Sequence, residues 1–166
     1  MRLYVMRHGP AEDRSEAVSE FDRQLTAKGR EQTGAAARGL AKFRVQLGAI
    51  VTSPLVRCMQ TAELVAAELT AGREPEAVDA LAAGASPGEM LKVIRAHAEA
   101  DLMVVGHDPD VSRLVSCLLG GVSQPYVSFS KGGVAALEAR GAPEPGACRL
   151  LWYLRRKQLA LLGDAA

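Results

Sequence analysis

At 166 residues the chain has the length of one domain, for which roughly 100–200 residues is usual. Hydrophobic residues make up 48% and aromatics only 4%, so a sizeable core is built mainly from Ala, Val and Leu. Twenty basic and nineteen acidic residues are interspersed and sum to +1, which argues against a nucleic-acid face or a polybasic membrane patch.

The first element is Leu3-Tyr4-Val5-Met6, four apolar residues that read as a short buried strand. Arg7, His8 and Gly9 follow at its carboxyl end, where open α/β sheets bind ligands. A cation, an imidazole and a backbone-permissive glycine there point to an anion site holding a nucleophile. Residues 10–22 are charged and poor in apolar side chains, which predicts an exposed loop beside that strand end. Thr26 is the expected N-cap of an alanine-rich helix reaching about residue 43. Gly29, Gly34 and Gly39 weaken this helix and would permit close packing on a sheet.

Ala49-Ile50-Val51-Thr52 predicts a second buried strand, and Ser53-Pro54 reads as an N-cap followed by proline at the first helical position. Leu55, Met59, Ala62, Val65, Ala66 and Leu69 form one apolar stripe at helical spacing. Arg57 lies roughly 200° around the helix from Leu55, in the first turn and facing away from that stripe. Residues 76–81 are expected to hold a third strand. Ser86 and Glu89 have the spacing of a capping box, opening a helix to about residue 99 that buries Leu91, Ile94 and Ala98. His97 is expected at the surface in the middle of that helix.

Leu102-Met103-Val104-Val105-Gly106 is another buried strand, and His107 follows it. Asp108-Pro109 then reads as cap and proline of a helix to about residue 119. After a loop over 120–130, residues 133–139 and 149–154 form the last two strands, and the end beyond Leu162 is expected to fray. Strands alternating with helices predict a single α/β domain over 1–166, a three-layer α/β/α sandwich with a mostly parallel sheet.

Cys58, Cys117 and Cys148 are far apart, form no CxxC pair and cannot pair completely, so all three are expected as small buried hydrophobes. No metal site is expected. No apolar run approaches the ~20 residues of a membrane span, and the chain begins without a signal-peptide pattern. A cytoplasmic monomer is the expectation.

Three units share one grammar: an apolar strand, polar residues at its end, then a helix start. They deliver Arg7-His8, Ser53 with Arg57, and His107. Parallel strands would bring all three to one sheet edge. Two guanidiniums, two imidazoles and helix N-termini around one cavity suit a compact dianion, for which phosphate is the usual case.

These segments resemble the histidine phosphatase superfamily, with its phosphoglycerate mutase-like fold. Arg7-His8-Gly9 matches the signature tripeptide, and Leu25-Thr26-Ala27-Lys28-Gly29 resembles the LTxxG element. Ser53-Pro54-Leu55-Val56-Arg57-Cys58-Met59-Gln60-Thr61-Ala62-Glu63 is similar to SPxxRxxQTAE, and Val105-Gly106-His107-Asp108-Pro109 to VGHxP. The short length resembles the small bacterial phosphohistidine phosphatases of the SixA type. The resemblance implies that His8 is the nucleophile and carries the phosphoryl group. It implies that Arg7, Arg57 and His107 hold the phosphoryl oxygens, with Gly9 and Ser53 as further phosphate contacts. No cofactor or metal is implied, because arginines take the metal's place. Nearby Arg7 and Arg57 are expected to keep His8 neutral.

One departure bears on substrate. Relatives that cleave phosphate esters often carry a general acid after the third strand, whereas residues 81–85 here read Leu-Ala-Ala-Gly-Ala. An alkoxide leaving group needs a proton and an imidazole needs that help less. The expected substrate is therefore phosphohistidine on a protein. A small phosphorylated metabolite is the alternative, with Glu12 or Asp13 as general acid. A catalytically silent phosphate-binding module is a third reading, and a metal protein using His8 and His107 a fourth. A second departure is Asp108, where relatives often have asparagine; an N-cap role explains it, but it sets a negative charge beside a phosphate ligand. Lys131 is expected as a solvated loop lysine, with contact to an acidic partner as the alternative.

Overall fold

Successive residues of a strand face opposite ways, and Leu3 to Met6 are apolar on both sides, so this segment belongs inside a sheet covered on two faces. The computed structural model describes residues 1–97 and 101–164 and shows that arrangement. In chain order the elements are β1 (Arg2–Arg7), α1 (Ala27–Lys42), β2 (Ala49–Thr52), α2 (Val56–Leu69), β3 (Glu76–Ala77) and α3 (Pro87–Ala96). Then come β4 (Leu102–Gly106), α4 (Asp110–Gly120), β5 (Val134–Ala139), β6 (Cys148–Leu154) and α5 (Arg156–Asp164). The sheet order is β3-β2-β4-β1-β5-β6. Strands β1 to β4 run parallel, β5 is antiparallel to β1, and β6 is antiparallel to β5, so only β5 opposes the rest.

The two cores follow from strand alternation. Leu3, Val5, Val51, Leu102 and Val104 face α3 and α4, while Tyr4, Met6, Ile50, Met103 and Val105 face α1, α2 and α5. The three-layer sandwich with a mostly parallel sheet is thus present. Cys58, Cys117 and Cys148 are free and buried, as expected of small hydrophobes. Among the described residues no helix is long and apolar enough to cross a membrane.

Several boundaries differ from the sequence reading. Thr26 caps α1 as expected, its side chain accepting from the Gly29 N–H at 2.9 Å, and Ser86 with Glu89 forms the full capping box. The third strand shrinks to two residues, because a single 3-10 turn at Asp79–Leu81 breaks it and buries Leu81. Helix α2 begins at Val56 rather than at Pro54; Leu55 holds the cap position and Ser53 is not the N-cap. Asp108 is not an N-cap either, since Pro109 takes that place in α4 without a side-chain bond. His97 closes α3 instead of sitting inside it, with Nε2 3.1 Å from the Glu76 carboxylate. The expected continuation to 99 and the burial of Ala98 fall outside the described residues.

Helix α5 is the element the sequence reading lacks. It packs closely against α1, and Gly39 explains the approach: a Cβ there would stand 1.9 Å from the Leu159 carbonyl oxygen. Leu159 is completely buried by the contact, worth about 2 kcal/mol for a leucine side chain. Gly39→Ala sets two effects against each other. Helix propensity gains about 1 kcal/mol, but the methyl drives α5 away and overpacking costs about 1–3 kcal/mol. The expected result is a lower melting temperature for Gly39→Ala, measured calorimetrically; an unchanged or higher one would contradict the close α1–α5 seat.

Candidate active site

The parallel register assembles the site. Arg7 pairs with Gly106 across β1 and β4, and Thr52 pairs with Val105 across β2 and β4. The next residues, His8, Ser53 and His107, therefore leave the sheet side by side. The ladders continue one step, with the His8 N–H donating to the Gly106 carbonyl at 3.0 Å and the Ser53 N–H to the Val105 carbonyl at 3.1 Å. Helix α2 starts just beyond this edge, and its first turn carries Arg57 back over it. Arg57 is off the apolar stripe, as its angle predicts, yet only 4% exposed. A guanidinium so buried must be well partnered.

Its partners are the site. Arg57 Nε points at His8 Nε2 at 3.4 Å, and Nη2 donates to His107 Nδ1 at 3.3 Å. Nη1 donates to the Glu20 carbonyl at 2.6 Å. Guanidinium nitrogens only donate, so His107 Nδ1 is an acceptor and its ring proton sits on Nε2, which faces Ser53 Oγ at 2.8 Å. His8 is the other way round. Its Nδ1 lies 2.7 Å from the Gly9 carbonyl, which can only accept, so Nδ1 carries the proton and Nε2 keeps its lone pair. The two rings meet edge to face, 5.5 Å apart. Burial, more than the neighbouring arginines, sets their charge: it pushes His8 down to about 3 and His107 to about 4, with Arg57 adding to both.

Gly9 and Ser53, expected as phosphate contacts, both hold protein partners in the structure. The Gly9 N–H donates to Thr61 Oγ1 at 3.0 Å and its carbonyl holds His8, so Gly9 positions the imidazole and has no amide free for phosphate. A Cβ at Gly9 would collide with Thr33 Oγ1 at 2.2 Å. Ser53 is fully buried, accepts from the Leu55 N–H at 3.3 Å and is bound to His107; it orients that ring and does not line the cavity.

A cavity of about 220 Å³ opens over these groups. Larger clefts lie elsewhere on the molecule, but this one holds the chemistry. Arg7, Arg14, Arg23, Arg57 and Lys131 line it with His8, His107, Glu20, Asp108 and Ala83. Glu12 and Asp13 are exposed and absent from the lining. The Glu12 carboxylate instead accepts from the Gln24 N–H at 3.2 Å. The carboxylates present are Glu20 and Asp108. Glu20 bridges Arg23 at 2.5 Å, Arg14 at 3.3 Å and Arg57 at 3.5 Å. The Arg23 contact above all holds Glu20 below the usual carboxylate range. Asp108 accepts from Ser112 Oγ and lies 3.9 Å from Arg7. Nothing in the residue 10–22 pattern marks Glu20 or Arg14, because a loop carries no periodicity. Arg7 donates Nη1 to the Phe129 carbonyl at 2.6 Å, while its Nε is buried without a partner. Among the described residues no group of three metal-ligating side chains gathers.

A pH consequence follows. Unfolded histidine titrates near ~6.5, whereas folded His8 and His107 do so only at about 3 and about 4. As pH falls below the unfolded value, the unfolded chain takes up protons that the folded chain refuses, so stability is lost from pH ~6.5 downward. Urea titrations at pH 7.5 and 5 are expected to show a smaller loss in His8→Asn than in wild type. Equal losses would mean that the imidazole is not kept neutral by burial.

Comparison with known proteins agrees with this geometry. The model of the histidine phosphatase superfamily (branch 1) matches residues 3–83. An uncharacterized protein of Picosynechococcus is 36% identical over 146 residues, covering 86% of this chain and 87% of its own length. The phosphohistidine phosphatase SixA of Escherichia coli is 28% identical over 144 residues, covering 85% and 88%. A solved structure of the protein histidine phosphatase SixA with tungstate superposes with a TM-score of 0.83 at 25% identity, covering 96% of this chain and 99% of that one. The alpha-ribazole phosphatase of Shigella flexneri shares the fold, with a TM-score of 0.71 at 17% identity over 94% and 97%. The chain therefore belongs to the histidine phosphatase superfamily.

Proposed function

We propose that this phosphatase removes the phosphoryl group from phosphohistidine on a protein, through a covalent intermediate on His8. The likeness to SixA supports the reaction class, and a tungstate complex there fits an oxyanion site of this kind. His8 is neutral at pH 7, with Nδ1–H fixed by Gly9 and the Nε2 lone pair held only by a long Arg57 contact at 3.4 Å. That is an activated nucleophile that needs no base. Nε2 attacks phosphorus and the new N–P bond forms as the substrate's P–N bond breaks; the substrate ring enters with its other nitrogen protonated by solvent, so the electron pair stays on a departing neutral imidazole. Water then attacks the phosphoryl group, and Nε2 leaves with its pair as inorganic phosphate forms.

Arg7 and Arg57 supply fixed positive charge where the phosphoryl oxygens gain negative charge, and phosphoryl transfer is accelerated chiefly by such positioning and electrostatic stabilisation. An incoming phosphoryl oxygen takes over the long Arg57 donors and frees Nε2. His107 bonds such an oxygen only when protonated, since its Nε2–H is committed to Ser53. A dianion beside the ring favours that form.

The observation that carries the substrate class is the carboxylate inventory. Ala83 lines the cavity in the segment where ester-cleaving relatives often place an acid, and Glu20 is ionised by Arg23 and cannot donate a proton. An imidazole leaves as a base of pKa ~6.5; an alkoxide does not leave without a proton. Glu12 and Asp13, outside the lining, lend no support to a small-molecule phosphomonoesterase. The test is the ratio of kcat/KM on a phosphohistidine peptide to that on an alkyl phosphate. Failure on both, and on an aryl phosphate, would leave a phosphate-binding module.

A further inference from the structure

A cleft of about 880 Å³ lies beside the catalytic cavity. Lys28, Lys131, Arg155, Arg156 and Lys157 line it, and no Asp or Glu does. Lys131 lines both spaces, and Pro10, two residues beyond His8, lines the cleft. The chain as a whole carries +1, so this gathering of five cations is strongly local. Among the described residues none of the five forms an ion pair, whereas Arg14, Arg23 and Arg57 in the catalytic cavity are all paired with Glu20.

The placement has a cost. Lys28 sits in the first turn of α1, and Arg156 and Lys157 in the first turn of α5, and neither turn holds an acidic residue. Helix N-termini favour carboxylates and disfavour cations. Both positive helix ends therefore add to the side-chain charge over one cleft. Arg156 also ties the cleft to the catalytic strand. Its stem lies against Gly132, whose N–H donates to the Arg7 and His8 carbonyls at 3.1 and 3.0 Å.

We propose that this cleft docks an acidic face of the phosphoprotein, with carboxylates flanking the phosphohistidine seated on Lys28, Lys131, Arg155, Arg156 and Lys157. The inference rests on the protein-substrate reading above. Four of the cations are exposed on flexible stems and come from three separate segments, α1, the turn before β5 and the start of α5. That spread matches several carboxylates on an extended surface and not one compact anion. Such complementarity acts on encounter and orientation, and salt weakens it.

The test separates docking from catalysis. Two phosphohistidine peptides of equal length, one flanked by Glu and Asp and one by Ser and Gly, are compared in wild type and in Arg155→Glu/Lys157→Glu. An aryl phosphate reports on the catalytic centre. The acidic peptide is expected to show about tenfold lower KM than the neutral one in wild type, an advantage that the double variant and added salt abolish. The neutral peptide and the aryl phosphate are expected to be unaffected by the variant. Anisotropy of a labelled acidic peptide without phosphohistidine measures the cleft alone, and its binding is expected to fall about tenfold in the variant. Peptide binding without peptide turnover would overturn the substrate reading and keep the cleft. Equal KM and equal anisotropy for acidic and neutral peptides would overturn the cleft. Tighter binding of tripolyphosphate or of a single-stranded oligonucleotide than of the acidic peptide would overturn it too.

Discussion

His8→Ala is expected to lower kcat/KM on every substrate by about 10⁴-fold or more while the protein stays folded. That corresponds to more than about 5 kcal/mol of transition-state stabilisation. The size follows from the geometry: the Gly9 carbonyl holds the ring proton of His8 on Nδ1, which leaves Nε2 unprotonated and engaged only by a long Arg57 contact at 3.4 Å, whereas Nε2 of His107 carries its proton toward Ser53. His107→Ala is expected to cost less, because it removes an oxyanion contact and leaves the nucleophile. Steady-state kinetics with an aryl phosphate, beside circular dichroism, is the measurement. A folded His8→Ala protein with more than one percent of wild-type activity, about 10²-fold lost, would remove His8 from the role.

The leaving group is the second large effect. An alkyl phosphate forgoes general acid help of about 10²–10⁴-fold, or about 3–5 kcal/mol, because Ala83 stands in the segment where ester-cleaving relatives often place an acid and Glu20 is held ionised by Arg23. A phosphohistidine peptide and an aryl phosphate lose much less, their leaving groups being weak bases. The expected order of kcat/KM at pH 7 is phosphohistidine and aryl phosphate well above alkyl phosphate. Comparable values for all three would require a carboxylic acid at the site. Asp108→Asn would then be the variant to make, since Asp108 is the other carboxyl group in the lining.

The edge that carries the candidate site was legible in the sequence because strand and motif coincide. Each of β1, β2 and β4 is a short apolar run, and each ends directly on the residues that carry chemistry. Once the strands are parallel, His8, Ser53 and His107 have nowhere else to meet. What the motifs did not reveal is how work is divided behind that edge. Ser53 and Gly9 stand in the signature segments, yet both spend their hydrogen bonds on orienting the imidazoles. Only tertiary contacts show it. Glu20 was invisible for a related reason: loop residues 10–22 have no period, and the contact with Arg57 spans 37 positions in sequence. Helix α5 escaped because Leu154-Arg155 precede it where Ser, Thr, Asp or Asn would mark a helix start, and its anchor is a glycine on another helix, Gly39.

A phosphoryl group trapped on a nitrogen of His8 is the decisive observation for this mechanism. The wild-type protein is mixed with a ³²P-labelled phosphohistidine peptide and quenched in alkali within milliseconds, because a phosphoramidate survives base and not acid. Label on the protein is expected to approach one equivalent, to be released by mild acid and to map to His8. No labelled protein during turnover, or label stable to acid or mapped to any other residue, would contradict it.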